Sequence, residues 1–256
     1  MSLLIVFLTS ACVAPAATSS GKPGHSGSDT DATDTGADSG DTAADADTDT
    51  DADTDADADA DADADTDSGC PAVTDKTRAA IVTDIDETLT TDDNEFLTQL
   101  YDPTHDPAMR PDANTLMQAW STLGYRIFYV TARGDALFLL DGTPARTATT
   151  DWLADHDFPF LEQDVFLVDG LGEFGGGAAD YKTGVLEDLR GYGFDLIYAY
   201  GNADTDITAY KNVNIADDHI FLVGDLAGTL GVEGISDTDA YTAHLAAFMS
   251  GVPCGY

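Results

Sequence analysis

Two aspartates spaced two residues apart, Asp84 and Asp86, follow a short apolar run at 79–82. The run has the composition of a strand that is buried on both faces. Side chains two residues apart on an extended chain point the same way, so both carboxyl groups can face one reacting centre. Open α/β sheets bind their ligands at the carboxyl ends of their strands. The pair therefore predicts a reactive site there, although a solvated acidic turn would fit the same two residues.

The segment Asp-Ile-Asp-Glu-Thr, from Asp84 to Thr88, resembles the first motif of the haloacid dehalogenase-like (HAD) superfamily of phosphoryl-transfer enzymes. The resemblance implies that Asp84 attacks phosphorus and that Asp86 is the general acid and base. A carboxylate nucleophile divides ester hydrolysis into two easier steps, and a second carboxyl group protonates the leaving oxygen and later deprotonates water. Two close carboxylates repel each other, so we expect a divalent cation. Mg²⁺ suits such hard oxygen ligands.

A second buried strand is predicted at 125–130, and it runs into Thr131 and Arg133. By resemblance, the Thr131 hydroxyl donates to a phosphoryl oxygen, whereas a strand-end threonine that starts a turn is the alternative. Arg133 can clamp a phosphate or a substrate head group, or it can pair with nearby acids. We assign Arg133 and Thr88 to substrate binding.

Lys182 is predicted at the start of a helix. A cation is unfavourable at that positive end of the helix dipole, which suggests an anionic partner. HAD enzymes use a lysine here to hold the phosphate and to offset the charge of the nucleophile. An ordinary surface lysine is the alternative.

A fourth strand at 194–200 leads to Asn202, Asp204 and Asp206. The resemblance implies that acidic or amide groups at this strand end bind Mg²⁺, together with Asp84 and the backbone carbonyl of Asp86. We expect Asp206 to be a direct ligand and Asn202 to be a ligand or to support one. Asp204 is the substitute ligand, or it simply caps the following helix.

The four motifs occur in the HAD order over about residues 79–224. They also resemble the catalytic domain of lipins, which are Mg²⁺-dependent phosphatidate phosphatases. A related domain ends some phosphatidylinositol-transfer proteins; it binds phosphatidic acid and lacks the catalytic pair. The retained Asp84 and Asp86 favour catalysis, whereas Glu87 stands where lipins have glycine. The alternatives are a non-catalytic module for phospho-head groups and a secreted acid phosphatase with an Asp-x-Asp-Glu-Thr start.

The alternation of apolar runs and amphipathic segments predicts an α/β Rossmann-like HAD fold, with a parallel five-stranded sheet and helices on both faces. Only 46 residues separate Asp84 from Thr131, so we expect no large cap and an open site. A helix is expected at 112–123, capped by Asp112 and ended by Gly124. Further elements are predicted as helices at 144–155 and 240–249, strands at 164–168 and 219–223, and loops at 91–111 and 169–180.

The first 69 residues have a different character from the rest. Residues 1–18 read as a secretory signal, in which Cys12 follows Ser10 and Ala11 as in a bacterial lipobox. We expect Cys12 to be lipidated, with an ordinary cleaved signal as the alternative. Residues 19–69 form a linker in which every second residue from Asp45 to Asp67 is aspartate, which predicts an extended, self-repelling tether.

The folded domain is expected at 70–256. The net charge of −38 disfavours nucleic acid and anionic bilayers as partners, so only an N-terminal lipid anchor would bring the chain to a membrane. We expect an exported monomer, at the bacterial cell surface, in the periplasm or secreted, acting on a phosphate ester, with a phospholipid as one candidate.

Outside Cys12, the cysteines are Cys70 and Cys254, and an oxidising compartment would pair them. Two free thiols are the alternative.

Overall fold

The computed structural model describes residues 69–173, 175–235 and 240–256, without the side chain of Ala240. The predicted signal at 1–18, Cys12 and the linker up to residue 68 lie outside the described residues. Among the residues described, no helix is both long enough and apolar enough to cross a membrane.

One parallel sheet forms the centre of the fold, in the order β3-β2-β1-β4-β5-β6. All five neighbouring pairs run parallel. This confirms the α/β Rossmann-like class, but the sheet has six strands and five were predicted. The additional strand, β6, is a two-residue edge strand that lacks the apolar run on which the prediction depended. The strands are β1 (Ala79–Thr83), β2 (Arg126–Gly134), β3 (Val165–Val168), β4 (Asp195–Gly201), β5 (Ile220–Leu222) and β6 (Glu233–Gly234).

Helices connect the strands and lie close to the predicted positions, with two differences. The expected loop at 91–111 contains a helix, and the helix that carries Lys182 begins at Gly176, inside the expected glycine-rich loop. Lys182 is therefore in the second turn and not at the helix start. The helices are α1 (Asn94–Tyr101), α2 (Ala113–Thr122), α3 (Ala145–Asp155), α4 (Gly176–Gly191), α5 (Asp204–Asn212) and α6 (Ala240–Phe248).

Apolar packing covers both faces of the sheet. On β1, Ile81 belongs to one buried cluster with Trp120 of α2, whereas Ala80 and Val82 belong to a second cluster with Leu186 of α4. Successive side chains of a strand point to opposite faces, so a central strand with two covered faces must be apolar throughout. This burial fixes β1, and with it the residues that follow its carboxyl end.

The segment between β1 and β2, described in full, contains α1 and α2 and no large cap. At the start of α2, Asp112 was predicted to cap the helix, but it makes no side-chain capping bond. It has a φ of 60°, and its carboxylate accepts a hydrogen bond from Thr242 instead. Gly124, at a φ of 84°, follows the helix end as predicted.

A disulfide joins Cys70 to Cys254, as the cysteine count predicted. Next to it, the backbone carbonyl of Tyr256 accepts hydrogen bonds from the N–H groups of Arg78 and Ala79, at 3.2 and 2.9 Å. The two ends of the domain are therefore held together at the amino end of β1, opposite the edge of the sheet that carries the aspartate pair.

Candidate active site

A cavity of about 400 Å³ lies at the carboxyl ends of β1, β2 and β4. These strands are neighbours in the sheet, so residues that follow them meet although they are far apart in sequence. Thr88, Thr131 and Asp206 lie behind the cavity wall, each with a relative exposure of 0%. The predicted site residues that line the cavity are Asp84, Asp86, Arg133, Lys182, Asn202 and Asp204.

The backbone of Asp84 is held at both of its polar groups. The Asp84 N–H donates to the carbonyl of Tyr200 on β4 at 3.0 Å, and the Asp84 carbonyl accepts from the Thr83 hydroxyl at 2.8 Å. The Lys182 amine lies 3.0 Å from Asp84 Oδ1 and 2.6 Å from Asp206 Oδ1. One buried ammonium group therefore forms ion pairs with two buried carboxylates.

The charges in this buried group do not balance. Burial, together with the carboxylates of Asp206 and Asp86, raises the pKa of Asp84 to about 7 against the opposing effect of Lys182. Burial alone would lower the pKa of Lys182, but Asp206 and Asp84 outweigh it and raise the pKa above its ordinary value. Asp84 Oδ1 is fully buried and accepts no well-aligned hydrogen bond, so its contact with Lys182 is an ion pair only. The site lacks one positive charge.

Both carboxylate oxygens of Asp206 accept hydrogen bonds from groups of the protein. Its Oδ1 accepts from Lys182, and its Oδ2 accepts from the N–H groups of Asn202 and Ala203, both at 3.0 Å. Within the part of the chain that the structure describes, Asp206 Oδ1 accepts only this hydrogen bond from Lys182, so the expected role of Asp206 as a direct metal ligand stays a prediction. Asp206 orients Lys182 and satisfies the start of α5, so the capping role considered for Asp204 falls to Asp206 instead.

The packing around Asp206 explains the glycine before it. A Cβ on Gly201 would lie 2.6 Å from Asp206 Cβ, closer than real Cβ atoms approach. Gly201 therefore permits the close approach of β4 and α5 that brings Asp206 to Lys182.

Asp86 is held by three donors from β2. Arg133 donates through Nε and Nη2 to both carboxylate oxygens, at 2.8–3.1 Å, and the Thr131 hydroxyl donates to Oδ2 at 3.1 Å. The Arg133 side chain is 1% exposed, donates to the Thr149 hydroxyl at 2.9 Å and lies over the Phe96 ring at 4.2 Å. Of the two roles considered for Arg133, pairing with an acid is the one observed, and Thr131 contacts Asp86 as well.

Asn202 is held between two residues of the first motif. The Thr88 hydroxyl donates to Asn202 Oδ1, and Asn202 Nδ2 donates to Glu87 Oε2, each at 3.1 Å. Because Thr88 is fully buried, it supports Asn202 and does not line the cavity as a substrate contact would. Burial and the nearby Asp93 raise the pKa of Glu87.

Sequence reasoning missed Glu87, Phe96 and Thr149 as site residues. Glu87 had a signal, since it stands where lipins have glycine. Phe96 and Thr149 had none, because only the folded chain brings them to Arg133.

The oxygen donors around Asp84 are of the kind that Mg²⁺ prefers: a carboxylate, the backbone carbonyl of Asp86 and the amide oxygen of Asn202. The missing positive charge beside the buried Oδ1 of Asp84, which accepts no well-aligned hydrogen bond, also fits a bound cation. Within residues 69–173, 175–235 and 240–256, no three Asp, Glu, His or Cys side chains form a metal-binding group. The fit therefore depends on amide and backbone oxygens as well as on carboxylates.

The parallel sheet, with the aspartate pair after β1, defines an α/β domain of the Rossmann-like class. The family model described as "PITM 1-3, LNS2 domain" matches residues 81–224, more than half of the chain. The chain therefore belongs to the LNS2 domain family, which the resemblance to lipins and phosphatidylinositol-transfer proteins had anticipated.

Two relatives illustrate the similarity. Protein retinal degeneration B of Drosophila melanogaster is 30% identical over 155 residues, which are 60% of this chain and 11% of that protein. Membrane-associated phosphatidylinositol transfer protein 3 of Homo sapiens is 30% identical over 142 residues, 56% of this chain and 13% of that protein. The chain thus spans little more than a tenth of the length of these relatives.

Among solved structures, a putative HAD-like phosphatase from Mesorhizobium loti covers 70% of this chain and 88% of its own, with a TM-score of 0.49 and 19% identity. A phosphoserine phosphohydrolase-like protein from Francisella tularensis covers 65% of this chain and 99% of its own, with a TM-score of 0.43 and 12% identity. Family membership rests on the matched family model and not on these structures.

Proposed function

We propose that this chain is a Mg²⁺-dependent phosphomonoester phosphatase of the HAD and lipin type, acting through an aspartyl-phosphate. The observation that carries the proposal is the meeting of Asp84, Asp86 and Lys182 in one cavity at the carboxyl ends of neighbouring strands. A domain that only bound a phosphate group would need no carboxylates facing the anion, because they repel it. The two retained acids and the buried lysine therefore favour catalysis over binding alone.

The proposed reaction has two steps. A carboxylate oxygen of Asp84 attacks phosphorus, the bond from phosphorus to the ester oxygen breaks, and Asp86 gives that oxygen its proton. Asp86 then takes a proton from water, whose oxygen attacks the phosphorus of the aspartyl-phosphate. Inorganic phosphate leaves, and the Asp84 carboxylate is restored.

Charge neutralisation supports these steps. Lys182 carries a fixed positive charge 3.0 Å from the Asp84 carboxylate. A bound Mg²⁺, held by Asp84, the Asp86 carbonyl and Asn202, would supply the remaining positive charge that lets an anionic ester approach. Positioning and charge neutralisation are most of what phosphoryl transfer requires of a protein.

The proposed reaction requires Asp86 to donate a proton to the leaving oxygen. Arg133 and Thr131 hold the Asp86 carboxylate through three donors. The side chain of Asp86 is 20% exposed on the cavity, so it has room to turn toward a bound ester. We propose that Asp86 leaves Arg133 when it protonates the leaving oxygen.

Phosphatidate is a candidate substrate. Leu97 and Leu171 line the cavity and are 49% and 73% exposed. Apolar side chains at the mouth of a site suit an ester with an apolar body. The names of the relatives, which include phosphatidylinositol transfer proteins, also favour a phospholipid.

A phosphatase panel tests the proposal. Phosphate release is measured from small phosphomonoesters and from phosphatidate in mixed micelles, with Mg²⁺ and with a chelator. We expect release in the presence of Mg²⁺ and loss of release with the chelator. Turnover that is equal with the chelator would contradict the metal dependence.

A second candidate is a non-catalytic module that binds phosphatidic acid or another phospho-head group. The hydrogen bonds that hold Asp86 on Arg133 favour this function, since both carboxylate oxygens of Asp86 already accept from Arg133. Binding of phosphatidate vesicles with no phosphate release from any ester would select this function.

We also propose that the domain is exported on its N-terminal signal and that Cys12 is lipidated. The apolar segment that precedes Cys12 supports this, as does the Cys70–Cys254 disulfide, because disulfides persist in oxidising compartments. Metabolic labelling with a fatty acid should mark wild type and not a Cys12→Ala variant. An unlabelled wild type would exclude the lipid anchor.

A further inference from the structure

A residue other than glycine occupies the left-handed region directly after Asp86. Glu87 has a φ of 53°, which side chains of L-residues rarely adopt. Its backbone is held there by neighbours: its N–H donates to Thr90 Oγ1, and its carbonyl accepts from Arg110 Nε, both at 3.0 Å. Strained backbone that surrounding contacts enforce is concentrated at functional sites. The side chain of Glu87 therefore merits a functional account.

That side chain makes a hydrogen bond that selects one orientation of Asn202. A carboxylate only accepts hydrogen bonds, so the amide must turn its NH₂ group toward Glu87 Oε2, at 3.1 Å. The other partner, the Thr88 hydroxyl, donates to Asn202 Oδ1 but could equally accept from an NH₂ group. Thr88 tolerates both orientations of the amide, and Glu87 tolerates one.

The orientation matters for a hard cation. Mg²⁺ binds oxygen ligands, and an amide nitrogen is not among them. We propose that Glu87 is a positioning residue that keeps the carbonyl oxygen of Asn202, and not its nitrogen, available to Mg²⁺. This inference rests on the Mg²⁺ site of the proposed function, but it requires no turnover.

Titration of the full chain with MgCl₂ in a calorimeter tests the inference directly. We expect Glu87→Gly to weaken Mg²⁺ binding by about 10–100-fold, the usual cost of losing a residue that orients a metal ligand. Leu230→Gly is the matched control. Leu230 has the same φ of 53° and lies outside the residues that line the cavity, so this variant should bind Mg²⁺ like wild type.

Glu87→Gly also removes a negative charge, which could weaken Mg²⁺ binding without any change in the orientation of the Asn202 amide. Repeating the substitution in an N202D chain separates the two causes. In N202D the side chain presents oxygen in either orientation, so nothing remains for Glu87 to select. We expect Glu87→Gly to change Mg²⁺ affinity by less than about threefold in N202D. An equal loss in both backgrounds would mean that Glu87 acts through its charge alone and would overturn the inference.

Parallel measurement of phosphate release separates this inference from the proposed function. Mg²⁺ binding that depends on Glu87, without phosphate release from any ester, would support the inference and end the phosphatase assignment. Mg²⁺-dependent turnover with unchanged Mg²⁺ affinity in Glu87→Gly would overturn the inference alone. A wild-type chain that binds no Mg²⁺ would overturn both the inference and the metal dependence.

Discussion

At the scale of single residues, Lys182 connects the nucleophile candidate to the rest of the site. It lies between Asp84 and Asp206 at 3.0 and 2.6 Å and is 3% exposed. Removal of one partner from a buried ion pair leaves an uncompensated charge, which is far more costly than loss of a surface pair. Lys182 therefore supports the folded state as well as the proposed chemistry.

Lys182→Met should lower the free energy of unfolding by about 3–5 kcal/mol at pH 8, measured by urea denaturation. The loss should be smaller at pH 5. The folded-state pKa of Asp84, about 7, exceeds the unfolded value of 3.8, so folding favours its protonation. The cost of its buried charge is therefore present above about pH 7 and falls away toward pH 4.

The partly exposed Lys211 provides a control, since it makes a surface ion pair with Asp217 at 3.1 Å. Lys211→Met should cost less than about 1 kcal/mol. A loss in Lys182→Met that is the same at pH 5 and pH 8 would contradict the charge argument.

The sequence predicted which of these residues meet but not all of their partners. Asp84 and Lys182 were expected to lie together because the resemblance to HAD enzymes implies a lysine that offsets the charge of the nucleophile, and they do. The pairing of Asp86 with Arg133 was only one of two readings, because the choice between an acid and a substrate depends on geometry in the folded chain. No sequence pattern indicated that the backbone N–H groups of Asn202 and Ala203 would donate to Asp206 Oδ2.

At the scale of elements, α6 is joined to the core by a short chain of hydrogen bonds. Trp120 Nε1 donates to the Tyr200 hydroxyl at 3.0 Å, and that oxygen lies 3.0 Å from His244 Nε2 on α6. For the Tyr200 hydroxyl to donate to His244, the imidazole must be neutral. Burial lowers the pKa of His244 to about 4, which agrees with this arrangement.

The contribution of His244 to the stability of the wild-type chain should therefore fall as pH decreases from 6.5 to 4, opposite in sign to the contribution of Asp84. In this window the unfolded chain takes up a proton at His244 and the folded chain does not. The lowered pKa of His244 corresponds to a change of about 2 kcal/mol in the free energy of unfolding, after allowance for the partial exposure of the ring. Urea unfolding of wild type and His244→Phe over this pH range measures the difference, and parallel curves for the two proteins would contradict the account.

Strands with an apolar run were predicted well, as in β1, β2 and β4, and elements without a clear apolar pattern were not. The helix α1 was read as a loop because its buried residues are only Phe96 and Gln99, within an acidic segment. The strand β6 contains two residues and no apolar pattern. Local composition is a weak guide for such elements, because tertiary packing decides them.

At the scale of the whole molecule, the Cys70–Cys254 disulfide joins residues 184 positions apart. A cross-link limits the freedom of the unfolded chain, and long closures limit it most. The bond lies at the amino end of β1, away from the cavity. It should therefore influence stability and not the chemistry of the site.

Replacement of both cysteines by serine should lower the free energy of unfolding by up to about 5 kcal/mol, by the loop-entropy estimate. Guanidinium denaturation measures the loss. Mg²⁺ affinity under native conditions should be unchanged. A double variant that is as stable as wild type, or one whose Mg²⁺ affinity falls, would contradict the claim that the disulfide stabilises the fold without influencing the site.

The central claim is that Asp84 is the nucleophile of a phosphatase, and phosphate release by Asp84→Asn tests it most directly. Asparagine keeps the shape of the side chain but cannot form an aspartyl-phosphate. With Mg²⁺ and an ester that the wild-type chain hydrolyses, the variant should fold and lose at least about 10³-fold in turnover. Turnover retained in Asp84→Asn would contradict the account.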